Sequence, residues 1–162
     1  MHFTVITLFP EMFPGTLGHS LAGKALAENK WQLEAVNLRD FAPDKHQTVD
    51  DRPFGGGAGM VIKPDVLGDA ITTLSAKAPY DKMIYFSPRG ERLNQNHCRH
   101  LISCKRVLLI AGRYEGIDER VLDEFPIIEY SLGDFVLSGG ELPALALMDS
   151  CVRLLPGVVG DD

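Results

Sequence analysis

No stretch of this sequence approaches the roughly 20 consecutive apolar residues that a membrane-spanning helix needs. The opening MHFTVITLFPEMF carries neither a basic n-region nor a small-residue cleavage site, which predicts no signal peptide. Cysteine is scarce: Cys98, Cys104 and Cys151 form no CxxC pair, so free thiols in a reducing, cytoplasmic setting are expected. Basic residues are outnumbered, 16 Lys and Arg against 22 Asp and Glu, for a net charge of −6. Composition alone therefore does not mark a nucleic-acid binder, although Lys105-Arg106 is locally basic. There is no GxGxxG, and FGGGAGM (Phe54 to Met60) has its glycines at other intervals and follows a loop. GHSLAGKA (Gly18 to Ala25) falls short of a P-loop, since Ala25 stands where Ser or Thr would hold magnesium. Neither a Ser-His-Asp nor a Cys-His context appears, which leaves covalent catalysis without support.

What is present suits one soluble domain. The 162 residues are 45% hydrophobic and 23% charged, enough to bury a core. Strands are predicted at His2 to Phe9, Trp31 to Leu38, Lys82 to Ser87, Arg106 to Gly112 and Ile127 to Tyr130. Helices are predicted at Ser20 to Glu28 with Ser20 as N-cap, Pro64 to Lys77, Asn94 to Cys104 with Asn94 as cap, Gly116 to Glu124 and Glu141 to Leu155. The last carries apolar Leu142, Leu145, Met148, Val152 and Leu155. Alternation of this kind implies an α/β fold with a mainly parallel sheet and helices on both faces. Arg39 to Gly59 has no sustained period and reads as a loop of a length usually tied to function.

In such sheets ligands gather where strands end and helices begin. Three junctions combine glycine with charge: SPRGER, AGRYEGIDER and YSLGDFVLSGGELPA. Together they point to a pocket. Other groupings have plainer readings beside the functional one. His97, His100 and Cys104 share a helix face, yet nothing nearby completes a metal site. Asp149 and Arg153 stand at i, i+4 and are spaced to pair with each other. Glu115, Asp118, Glu119 and Arg120 fit a salt-bridged turn.

DKHQTVDDRPFGGGAGM, YFSPRG, GRYEGIDER and YSLGDFVLSGGELPA occur in this order, after MHFTVITLFPEMF. Over essentially the whole chain they resemble the bacterial TrmD-type tRNA (guanine-N1)-methyltransferases, of the SPOUT class. The resemblance implies an α/β domain tied into a C-terminal trefoil knot, a homodimer, and S-adenosyl-L-methionine held in the knot. It implies methyl transfer to N1 of guanosine at tRNA position 37. The donor pocket it implies comprises Tyr85, Phe86, Ser87 and Pro88; Gly112, Tyr114, Glu115 and Gly116; then Leu132, Gly133, Phe135, Leu137, Gly139, Gly140 and Pro143. Glu115 is placed by it to orient the cationic donor or a Mg2+ ion.

Guanine N1 must lose a proton to become a nucleophile, and negative charge then grows on O6. By resemblance Arg153 stabilises that charge, with Arg113 as the second functional arginine, while Asp50 and Gly59 meet the tRNA. Ala58 departs from the family's GGGPGM and should loosen that loop. The family continues into a linker bearing its proposed general base and a helical tRNA-binding domain. Residues 1–162 are thus expected to be the donor-binding domain of a longer enzyme, binding the donor and dimerising but methylating weakly or not at all alone. Asp161 and Asp162 are not matched to that base.

Overall fold

The computed structural model describes residues 1–160; Asp161 and Asp162 lie outside the described residues. Strand β1 (His2–Thr7) leads through two short 3₁₀ turns, Pro10–Met12 and Gly15–Gly18, into helix α1 (Ser20–Ala27). Strand β2 (Gln32–Asn37) follows. The long segment after it is partly ordered. It holds a 3₁₀ turn, Leu38–Phe41, and a two-residue strand β3 (Asp50–Asp51) paired antiparallel with β4 (Val61–Ile62). Then come α2 (Pro64–Lys77), β5 (Lys82–Arg92), α3 (Gln95–Leu101) and β6 (Arg106–Ile110). The chain finishes with α4 (Glu119–Glu124), β7 (Ile127–Ser131) and α5 (Glu141–Val152).

The main sheet has the order β2-β1-β6-β5-β7, and every neighbouring pair is parallel. Strand periodicity sorts its residues between two cores. Phe3, Val5, Val107 and Leu109 join one with Trp31, Ala25 of α1, Leu101 of α3 and Leu147 and Met148 of α5. Ile6, Leu108 and Ile110 join the other with Leu67 and Ile71 of α2 and Val121 of α4. Helices thus cover both faces, which is why β1 and β6 read as nearly unbroken apolar runs.

Several local expectations change. Ser20 does not cap α1. It is the first helical residue, at φ +55°, and His19 takes the cap position without a side-chain bond. The glycines of GHSLAGKA serve packing: a Cβ at Gly23 would lie 2.4 Å from the carbonyl of Gly18. Strand β5 runs on through Arg92. The segment SPRGER is therefore strand, pairing again with β7 after an irregularity between Phe86 and Glu91. A side chain at Gly90 would meet the Tyr130 backbone at 2.6 Å, so glycine lets the two strands close. Helix α4 starts three residues late, where the Asp118 carboxylate accepts from the Arg120 N–H. Asn94 does cap α3, in a reciprocal box with His97, whose ring also meets Glu91 at 3.1 Å. That accounts for His97 without a metal. Leu142 is exposed; Pro143, Ala144, Leu147, Met148, Cys151 and Val152 form the buried face of α5.

Candidate functional site

Strands β6, β5 and β7 lie side by side and run in one direction, so the segments at their C-terminal ends share one edge of the sheet. A cleft of about 230 Å³ opens there. Tyr85 to Pro88 of β5 form one wall and Gly112 to Gly116 another. Ser131 to Gly133, Phe135 to Gly140 and Pro143 close it. Every residue that the resemblance assigned to the donor lines this single cleft, and so does Arg113. Ser131, Val136 and Ser138 are lining residues that sequence reasoning did not single out.

Close approach explains the glycines best. The Gly140 N–H donates to the Gly112 carbonyl at 2.9 Å, and a Cβ on Gly140 would stand 2.8 Å from the Ala111 Cα. Real Cβ atoms do not come that near to backbone, so the loop before α5 docks on the end of β6 only as glycine. Gly116 sits at φ +121°, against the Tyr85 hydroxyl. Tyr85 is buried, and desolvation holds its phenol above the usual tyrosine range. Above the cleft Phe135 is half exposed and Val136 is 81% exposed, an apolar rim left in solvent.

Charges are arranged unevenly. Glu129 accepts from the Ser87 hydroxyl at 2.5 Å and from Arg89 Nε at 2.9 Å, and Arg89 also pairs with Glu119. These contacts tie β5, β7 and α4 together beside the cleft. Glu141 is 1% exposed, at the first turn of α5. Its carboxylate accepts from Thr7 Oγ1 at 3.0 Å and from Arg113 Nε at 3.0 Å.

The loop that the resemblance assigns to tRNA reaches this edge through main-chain bonds. Glu115 N–H donates to Met60 C=O at 2.9 Å, and Ile62 N–H donates to Gly116 C=O at 3.0 Å. Gly59, at φ +80°, packs on Glu115, where a Cβ would fall 2.4 Å from Cγ. Arg120 binds Asp118 through two guanidinium nitrogens and lies 4.6 Å over the exposed Phe54 ring. Asp50 pairs with Ile62 in the small sheet and does not line the cleft.

Arg153 does not line it either. It is exposed at the end of α5, in a separate hollow of about 270 Å³ shared with Thr16, His19 and Asp149. No salt bridge joins Arg153 to Asp149 among the described residues; only the main-chain bond between them forms, at 3.2 Å. Glu115 is the one carboxylate lining the cleft, and no group of three His, Cys, Asp or Glu converges among the described residues. This donor set does not fit a protein-caged Mg2+ ion. No described helix is long and apolar enough to cross a membrane.

Known proteins share this arrangement. The crystal structure of the tRNA (m1G37) methyltransferase from Aquifex aeolicus superposes on the whole chain and on 73% of its own, with TM-score 0.90 and 38% identity. A tRNA (guanine-N(1)-)-methyltransferase of Wolbachia pipientis wMel is 51% identical over 98% of this chain and 67% of its own length. That of Rhodospirillum rubrum is 58% identical over 96% of this chain and 64% of its own. The chain therefore spans about two thirds of the curated relatives it matches. The profile of the family described as tRNA (Guanine-1)-methyltransferase TrmD matches residues 1–162 from end to end, and this chain belongs to that family.

Proposed function

We propose that this chain is the domain that binds S-adenosyl-L-methionine and transfers its methyl group to N1 of a tRNA guanosine, that at position 37 beside the anticodon. One observation carries the reading. Three segments at the ends of β5, β6 and β7 meet in one cleft, lined by the glycines Gly112, Gly116, Gly133, Gly139 and Gly140 and by the aromatic residues Tyr85, Phe86, Tyr114 and Phe135. Such walls suit a flat, uncharged base recognised through its edge. The methionine end of the ligand adds a sulfonium, which supplies the electrophilic methyl carbon when bound.

The chain's residues divide the remaining work. Tyr85, Phe86 and Phe135 exclude water, and Glu115 offers the cleft a negative charge toward the cationic donor. Arg113, the second functional arginine, presents a positive charge to the same cleft, while the charge that grows on the acceptor's O6 falls to Arg153. The close Gly140–Gly112 contact supports a C-terminal segment threaded against the β6 loop, as a knot requires. Arg153 stands in a hollow of its own, so its part in the chemistry needs a second copy of the chain to bring it to the cleft. The exposed Leu21, Leu142 and Val159 support such a homodimer.

Titration calorimetry with S-adenosylmethionine tests the site. Wild type is expected to bind, Gly140→Val to lose binding by about 100-fold or more through overpacking, and Arg153→Ala to bind as wild type. A folded wild-type chain that does not bind the donor would end this reading.

A further inference from the structure

The fully buried carboxylate of Glu141 has no part in the functions argued so far. We infer that Glu141 is the positioning residue for Arg113, and that Gly139 is glycine to make room for their ion pair. This rests on the methyl-transfer reading for its consequence and on geometry for its content.

Glu141 is held from behind. Thr7, 1% exposed in β1, donates its hydroxyl to one carboxylate oxygen at 3.0 Å. The other oxygen accepts from Arg113 Nε at 3.0 Å. Nε is the one guanidinium nitrogen bonded to the carboxylate, and the N–H donors of both Nη groups make no bond to it. They find only weak partners: the Ser138 carbonyl at 3.5 Å and the Met12 sulfur at 3.8 Å. The Phe9 ring lies 4.7 Å beneath the guanidinium carbon and fixes its plane. Arg113 is thus anchored through one edge and keeps its stronger hydrogen-bonding capacity for a ligand.

Gly139 adds an independent observation. A Cβ there would lie 2.4 Å from Arg113 Nε and 2.6 Å from Glu141 Oε2. It would drop between the two charges. The glycine next to Gly140 therefore has its own reason, distinct from backbone docking.

A buried acid paired to a cation is costly when its partner is removed, because an uncompensated charge remains. Evolution toward stability alone would favour an apolar pair here. The arrangement makes sense if the direction of the guanidinium matters.

The test has two readouts on the same chain. In nitrogen-proton NMR spectra, wild type is expected to show a slowly exchanging arginine Nε–H that is assigned to Arg113 by its absence in Arg113→Lys. It should be lost in Glu141→Gln and Gly139→Ala, and kept but shifted in Thr7→Val, which retains both charges should the Gln variant not fold. Single-turnover methyl transfer, with protein in excess over tRNA, is expected to fall about 100-fold in Glu141→Gln and in Arg113→Ala alike. The double variant should be no slower than either, with donor affinity changed less than about threefold. Losses that multiply, a wild-type rate in folded Glu141→Gln, or an Nε–H resonance unchanged by that substitution would each overturn the inference. If the folded wild-type chain neither binds the donor nor transfers a methyl group, the methyl-transfer reading fails, and the resonance alone decides whether Glu141 positions Arg113.

Discussion

Two side chains carry pH and redox behaviour that can be read residue by residue. Asp118 is buried at the start of α4, where the Arg120 side chain holds its carboxyl below the usual aspartate range. A group whose folded pKa is depressed stabilises the fold above its unfolded pKa, about 3.9, and that contribution is lost as pH falls through the folded value. Asp118→Asn keeps a good capping residue but removes the charge. It should lower Tm at pH 7, and the gap to wild type should close as pH falls through the depressed folded value. Among the thiols, Cys98 and Cys151 are buried and burial raises both above the ordinary cysteine range. Desolvation raises Cys104 as well, so partial exposure alone sets it apart. With a disulfide reagent at pH 8 one thiol should react promptly, and Cys104→Ser should remove that phase. Prompt reaction of all three would contradict the burial described.

At the level of elements, the helix caps and the β5–β7 pair make separate demands. Asn94→Ala removes the half of the box at α3 in which the Asn94 side chain accepts from the His97 N–H, and should cost about 1 kcal/mol in denaturant unfolding. Gly90→Ala forces a Cβ against the β7 backbone and should cost about 1–3 kcal/mol, more than its half-buried position suggests. Elements were the most legible part of the sequence. Alternation and apolar runs located all five long strands, and proline at the first turn located α2 to the residue. What failed was decided by tertiary contact. β5 continues past Phe86 because β7 accepts it again at Tyr130 and Ser131, which no property of SPRGER announces. The buried stripe of α5 was not legible because that helix is apolar nearly all round, leaving little periodicity to read. The cleft residues were legible through a resemblance spanning several motifs; glycine spacing by itself left a turn and a ligand equally plausible. Glu141 was the residue missed. An acid opening a helix looks like a first-turn charge favoured by the dipole, and only burial beside Thr7 and Arg113 reveals otherwise.

For the molecule as a whole, the separation of Arg153 from the cleft makes a prediction about assembly. If two copies complete each other's sites, Gly140→Val and Arg153→Ala are each inactive alone but complementary. Mixing them under conditions that exchange subunits should restore methyl transfer. Light scattering should show a dimer in both. No recovery after verified exchange would place Arg153 outside the chemistry.

The strand order has a consequence for how the chain comes to be folded at all. β1 lies in the sheet between β2, thirty residues on, and β6, which begins at Arg106. Such long-range pairing is slow to form, since a large loop must close before it is rewarded. During synthesis the first strand therefore waits for more than half of the chain before its second edge is satisfied. Trp31, the single tryptophan, is buried in the core that α5 completes. Its fluorescence should reach the native value only in the last refolding phase, and donor binding should return with it.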